Sequence, residues 1–263
     1  MGNVVKEKIK QGIPAIGHWL SLPCSAVAEL LADIGMDWLL IDTEHSPTDY
    51  ETLEDIIRAM KGTDVIPLVR VAGNDPILIK KALDRGAYGV IVPLVNTPED
   101  AARAVAAAKY PPEGIRGVAG TRVSGWGKNL SKYFAKWNHD GLVILQIETA
   151  QALENVEEIA AIPGVDVLFI GPADLSANLG VFQQFDHPKF IDAVDRIKAA
   201  ACENGIATGY MASGAESVLA KVDEGFKFIA VGTDARLLAE AADTTYRAIS
   251  EGLTKREKDD LIA

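Results

Sequence analysis

The feature that most constrains this chain is an alternation, sustained over most of its 263 residues, between short apolar runs and helical segments. The apolar runs are IPAIGHWL, DWLLID, DVIPLVRV, YGVIVPLV, GLVILQIE, VDVLFIG, GIATGYM and FKFIAVG. Most carry Val, Ile and Leu without polar alternation, as strands buried on both faces of a parallel sheet do. Between them lie segments with helical spacing, among them SAVAELLADIG, residues 49–60, EDAARAVAAAKY and residues 187–204. Gly35 and Gly62 stand at helix stops, and Asp75-Pro76 and Thr97-Pro98 at helix starts. A short helix is expected near Pro172, and a last helix from about Ala235 to Glu251 with a charged tail after it. Eight consecutive parallel βα units predict an α/β fold, a closed (β/α)8 TIM barrel, in one domain over residues 1–263. An open nucleotide-binding sheet would place glycines in its first βα turn, and here that turn reads SLPCSAV. From Tyr110 to Gly141 the rhythm breaks into a Gly-, Lys-, Trp- and Asn-rich stretch without period, expected to be a long functional loop.

Composition narrows the partners. A net charge of −11 argues against nucleic acid, whose phosphates demand a basic surface. No apolar run reaches bilayer length, and MGNVVKEKIKQG has no apolar signal core, so no membrane partner and a cytoplasmic location are expected. Cys24 and Cys202 share no ligand spacing and are expected to be reduced, inert packing residues.

The chemistry concentrates where strands end. Asp42 and His45 follow WLLID, Arg70 closes IPLVR, Glu148 follows LVILQI, and Asp174 comes soon after VLFIG. In a barrel these ends converge on one mouth, so residues distant in sequence meet. Glu148 and Asp174, on neighbouring strands, can share one hard divalent cation that keeps coordination positions open, or each can cap the helix after its strand. Asp42, three residues before His45, can accept a hydrogen bond from the imidazole and fix its tautomer. Arg70 must face a carboxylate or the pocket, because an unpaired buried guanidinium is costly. A pocket role would stabilise a developing oxyanion, and a bridge to Asp42 or Glu44 would be structural; both can hold at once. Gly171-Pro172-Ala173 opens a helix whose first N–H groups can attract an anion, although many helices begin this way. His18 and His139 read as structural.

These residues carry a resemblance. WLLIDTEHSP, PLVRV, GVIVPLVNTPEDA, PPEGIRGV, QIET and LFIGPADLSANLG together are similar to the motifs of the class II, metal-dependent pyruvate aldolases of the HpcH/HpaI family, in the phosphoenolpyruvate/pyruvate barrel superfamily. The similarity runs from about Gly17 to about Leu238. It implies a divalent cation (Mg2+, Mn2+ or Co2+) on Glu148 and Asp174, with Gln146 nearby. It implies Arg70 on the enolate, His45 with Asp42 supporting proton transfer, and the backbone of Gly171, Pro172 and Ala173 on the pyruvate carboxylate. The activity implied is reversible cleavage of 4-hydroxy-2-oxo acids to pyruvate and an aldehyde. The assembly implied is a homohexamer, a trimer of dimers, with the C-terminal helix packed on, possibly swapped with, a neighbour. Trp19, Met211 and the 110–141 segment, with Arg122 and Ser124, are expected to shape the aldehyde site. Thr43 stands where the family often has glycine.

Two other readings remain open on sequence. One is a CoA-thioester lyase of citrate-lyase type, disfavoured by the acidic composition. The other is a barrel that binds an anionic metabolite without catalysis.

Overall fold

The computed structural model describes residues 2–262. Eight parallel strands close on themselves in sequence order: β1 Ala15–Leu20, β2 Trp38–Asp42, β3 Ile66–Arg70, β4 Gly89–Val92, β5 Leu142–Ile147, β6 Val167–Ile170, β7 Ala207–Met211 and β8 Phe228–Thr233. The helices are α1 Val4–Lys10, α2 Ser25–Ala32, α3 Tyr50–Ala59, α4 Pro76–Arg85, α5 Pro98–Ala108 and α6 Leu130–Asp140. They continue with α7 Ala150–Glu154, α8 Val156–Ala160, α9 Pro172–Asn178, α10 Pro188–Glu203, α11 Gly214–Asp223 and α12 Asp234–Ile262. The (β/α)8 barrel expected from the alternation is the fold observed.

Local chemistry sets the boundaries. Asp75 caps α4 through the N–H groups of Ile77 and Leu78, with Pro76 behind it in the first turn. Thr97 and Asp100 form a reciprocal capping box on α5.

Two apolar layers separate inside from outside. The inner layer fills the barrel with Trp19, Trp38, Leu40, Leu68, Ile144, Phe169 and Phe228 among others, and Trp38 stacks on Phe228 at 4.2 Å between ring centroids. The outer layer packs the other strand faces against the helices. Because both faces are buried, the strands read as nearly unbroken apolar runs. Helix α1 joins the inner layer through Val5 and Ile9. It is pinned there by Asn3, which donates to the Tyr88 and Asp140 carbonyls, and by buried Lys6, which bonds the Gly141 carbonyl and Asp166.

Several expectations are corrected. The 110–141 stretch is not one loop: it holds a 3-10 turn at Arg122–Ser124 and then α6. The last helix does not stop near Glu251 but runs to Ile262. Cys24 and Cys202 are free, as expected, but exposed rather than buried in packing. The stretch AQALENVEEIAAI, which reads as one helix in sequence, is two short helices that meet at Asn155, whose side chain is drawn to the Asn96 carbonyl.

Candidate active site

At the carboxyl end of the strands lies a cleft of about 310 Å³. Trp19 comes from β1, Asp42 and His45 from the end of β2, Arg70 from β3 and Gln146 from β5. Gly171, Pro172, Ala173 and Asp174 come from the β6 end and α9, and Met211 from β7. Glu148, one residue past β5, is buried at the edge of the cleft behind Gly171. A methyl group at Gly171 would stand 3.2 Å from Glu148 Oε2 and 3.0 Å from Gln146 Nε2, so that position has little room for a side chain. The site residues expected from sequence, Arg122 and Ser124 apart, therefore gather at one mouth. Ser21, Phe169 and Thr233 also line it. Ser21 and Thr233 carry the same signal as the others, a polar residue where a strand ends.

Arg70 is the fixed point of the cleft. Its Nε donates to Asp42 Oδ1 at 2.8 Å and its Nη2 to Asp42 Oδ2 at 2.6 Å, a two-pronged pair. Nη1 lies 3.1 Å from Glu44 Oε2, and the guanidinium carbon sits 4.8 Å from the Trp19 ring centroid. Burial works against ionisation of Asp42, but the Arg70 hydrogen bonds and charge outweigh it and hold the carboxyl below its ordinary range. The expected hydrogen bond from the His45 ring to Asp42 is not made. Asp42 Oδ1 instead accepts the backbone N–H groups of Glu44 at 3.0 Å and His45 at 3.5 Å. A carboxylate engaged by a guanidinium and a turn has little left for an imidazole three residues on.

Opposite Arg70 the charge is negative. Glu148 Oε1 accepts the Leu94 N–H at 2.8 Å, and Oε2 takes the Gln146 amide. Leu94 makes that contact from the left-handed region, with φ of 52°, a conformation a leucine adopts only under constraint. Glu148 therefore does not cap α7, a role that Thr149 fills. Burial raises the Glu148 carboxyl above its usual range, and the nearby charges of Asp174 and Glu44 add to the rise. Burial likewise raises Glu44, against the pull of Arg70. Four carboxylates thus share the mouth with one guanidinium.

That excess fits a divalent cation. Glu148 and Asp174 could hold it, and Gln146 Oε1 is a buried oxygen with no hydrogen-bond partner. Among the described residues no group of three or more His, Cys, Asp or Glu has metal-holding geometry. A cation on one or two carboxylates, with water or substrate oxygens for the rest, is the usual arrangement for magnesium.

The 110–141 segment lies elsewhere. Arg122 donates to the Arg85 carbonyl at 2.5 Å, Ser124 to the Thr121 carbonyl, and Arg122 lines a groove with Pro67 and Tyr88 at the opposite strand ends. A connection from a helix end to a strand start belongs at the barrel's amino-terminal face, so Arg122 and Ser124 do not face this chain's own cleft. His18 is buried in β1 with its Nδ1 accepting the Trp19 N–H, and His139 pairs with Asp140.

The fold and the site together invite comparison with known proteins, and residues 15–241 match the HpcH/HpaI aldolase/citrate lyase family. The chain belongs to that family. It is 41% identical to the 4-hydroxy-2-oxo-heptane-1,7-dioate aldolase of Escherichia coli, over 92% of this chain and 93% of that one. It is 42% identical to a pyruvate aldolase of Rhizobium etli, over 92% and 95%. Among solved structures, an HpcH/HpaI aldolase/citrate lyase family protein from Burkholderia cenocepacia superposes with a TM-score of 0.90 at 38% identity, covering 94% of this chain and 99% of that one.

Proposed function

We propose that this family member is a class II pyruvate aldolase that cleaves a 4-hydroxy-2-oxo acid reversibly to pyruvate and an aldehyde. The observation that carries the reading is Arg70, clamped by Asp42 and Glu44 in a cleft that Asp174 lines and Glu148 borders behind Gly171. A divalent cation held by Glu148 and Asp174 would polarise the 2-oxo group of the substrate. Arg70, already oriented, stabilises negative charge on the enolate oxygen without reorganising. The first N–H groups of α9, beyond Pro172, have no partner within the helix and suit the pyruvate carboxylate. His45, at the rim, serves the proton transfer. Trp19, Phe169 and Met211 give the aldehyde side an apolar wall. Among the described residues no lysine lines the cleft, which speaks against an imine route.

The same proposal covers the assembly and setting: residues 1–263 form one unit, and copies associate as a homohexamer, a trimer of dimers, in the cytoplasm. The free, exposed thiols suit a reducing compartment, and among the described residues no helix is long and apolar enough to cross a membrane.

The test is synthesis in reverse. Purified protein is incubated with pyruvate, a panel of aldehydes and divalent ions, and a new hydroxy-oxo acid is sought. Product should vanish with a chelator and return with metal. Activity that survives chelation and is trapped by borohydride would replace this reading with an imine mechanism. Arg70→Ala should abolish exchange of the pyruvate methyl protons with solvent; unchanged exchange would remove Arg70 from the enolate step.

A further inference from the structure

We propose that Ser21 and Thr233 select the aldehyde: the cleft takes an uncharged aldehyde that carries a hydroxyl group, and these two side chains bind that hydroxyl. The inference rests on the aldolase reading and names the acceptor class within it. Both residues line the cleft, Thr233 at the end of β8 and Ser21 one residue past β1. The two strands are neighbours in the closed barrel, with Thr233 in register with Trp19. Strand β1 stands four strands from β5 in either direction, so Ser21 lies across the mouth from Glu148. Strands β1 and β7, which bring Trp19 and Met211 to the cleft, flank β8.

The hydrogen bonds already made decide what each hydroxyl still offers. Ser21 Oγ donates to Asp234 Oδ1 at 2.7 Å, so its proton is spent and its lone pairs remain. Asp234 is buried and also accepts the backbone N–H groups of Ser21 at 2.8 Å, Leu22 at 3.1 Å and Ala235 at 2.8 Å, which fixes the serine in place. Thr233 Oγ1 accepts the Arg236 N–H at 3.2 Å, so its own proton is the group left to donate. One acceptor and one donor on neighbouring strand ends match a ligand hydroxyl, which gives one hydrogen bond and takes another. A carboxylate tail matches poorly, since it has no proton for Ser21 and approaches the charge of Asp234. Among the described residues, the cations lining the cleft are Arg70, already held by Asp42 and Glu44, and His45, which is 72% open to solvent at the rim. A plain alkyl tail displaces water from both hydroxyls and offers neither a partner. A 2-hydroxyaldehyde satisfies both. Joining its carbonyl carbon to the pyruvate methyl carbon gives a 4,5-dihydroxy-2-oxo acid.

The test measures kcat/KM for glyceraldehyde and for propanal, with pyruvate and a divalent ion saturating, in wild type, Ser21→Ala and Thr233→Val. A hydroxyl next to a carbonyl also raises its reactivity, so the diagnostic is the change in the ratio between proteins. Wild type should prefer glyceraldehyde at least about tenfold, and each substitution should cut that ratio about fivefold, chiefly through the KM for the aldehyde. A ratio taken within one preparation does not depend on how much of the protein is folded. Succinic semialdehyde, with its carboxylate tail, should be a poorer acceptor for wild type than glyceraldehyde. A ratio that either substitution leaves unchanged, or a wild type that prefers succinic semialdehyde, would overturn the assignment. Exchange of the pyruvate methyl protons by wild type needs no aldehyde and separates the two claims. Its absence counts against the aldolase reading, whereas exchange without a hydroxyl preference counts against the Ser21–Thr233 pair alone.

Discussion

Arg70 shows why the chemistry of this cleft is also a question of stability. Its guanidinium pairs with the buried carboxylate of Asp42 and the partly buried one of Glu44 at once, so removing it strands both, and breaking a buried pair typically costs about 3–5 kcal/mol. Arg70→Ala therefore mixes unfolding with lost catalysis, and Arg70→Lys is the cleaner probe. A lysine keeps the charge but cannot grip Asp42 with two parallel bonds while reaching Glu44. We expect kcat to fall about 100-fold, within the range for loss of one oxyanion donor, with the fold retained by circular dichroism. Asp42 gives the matching pH prediction. Its folded pKa is depressed, so its stabilisation is fully present above the unfolded value near 3.8 and is lost as pH falls through the lower folded value. Acid unfolding followed by fluorescence should show a proton uptake below pH 3.8 that disappears in Asp42→Asn. At this scale the sequence was legible in kind and less so in pairing. Polar residues at strand ends marked the mouth, because barrel topology gathers such positions regardless of detail. Which carboxylate faces which base depends on how Arg70 lies across the top of β2, and spacing along one strand carries no information about that.

The secondary-structure elements were legible in proportion to how much of their surface is apolar. The strands announced themselves because both faces are covered. Helix α6 did not: Trp137 is its one fully buried residue, so no apolar stripe repeats along it. Helix α1 was hidden because its buried face includes Lys6, held by Asp166 rather than by oil. What fixes the segment before α6 is a polar anchor with aromatic walls. Arg116 is buried, donates to Asp84 Oδ1 at 2.8 Å and lies within 5.5 Å of the ring centroids of Tyr110, Tyr133 and Trp137. It thereby ties the 110–128 stretch to both α4 and α6. Arg116→Ala leaves Asp84 unpaired and opens a void between three rings, so a loss of about 3–5 kcal/mol is expected by denaturant titration. Arg116→Lys should recover part of the charge term but little of the flat packing on the rings. Equal stability of Arg116→Ala and wild type would mean that the segment is held by its backbone bonds alone.

On the scale of the molecule, the barrel has a gap in its outer wall and a helix with nothing to cover. Helix α12 leaves β8 directly, and its principal contacts are with β1 and β8. From Arg236 to Lys255 nearly all of it is exposed. Leu238, Tyr246, Ile249 and Leu253 are exposed on it, and at about 100° per residue they fall within roughly 80° of one another, an apolar stripe facing solvent. Meanwhile Leu30 on α2, Ile34 in the turn after it and Leu219 on α11 stand open on the barrel wall, in the place where a (β/α)8 fold normally lays its last helix. One arrangement satisfies both surfaces: the helix of one copy on the wall of another, which is how the proposed oligomer would close. Burying four such side chains is worth about 1.5–3 kcal/mol each, or on the order of 10 kcal/mol per helix before the entropy of association is subtracted. Leu238→Glu combined with Ile249→Glu should therefore shift the assembly toward smaller species in analytical ultracentrifugation. The cleft is built from one barrel's own strand ends, so the dissociated barrel should keep pyruvate proton exchange to the extent that it stays folded. An unchanged sedimentation coefficient would show that the stripe lies outside the interface and that the wall of α2 and α11 is covered by something else.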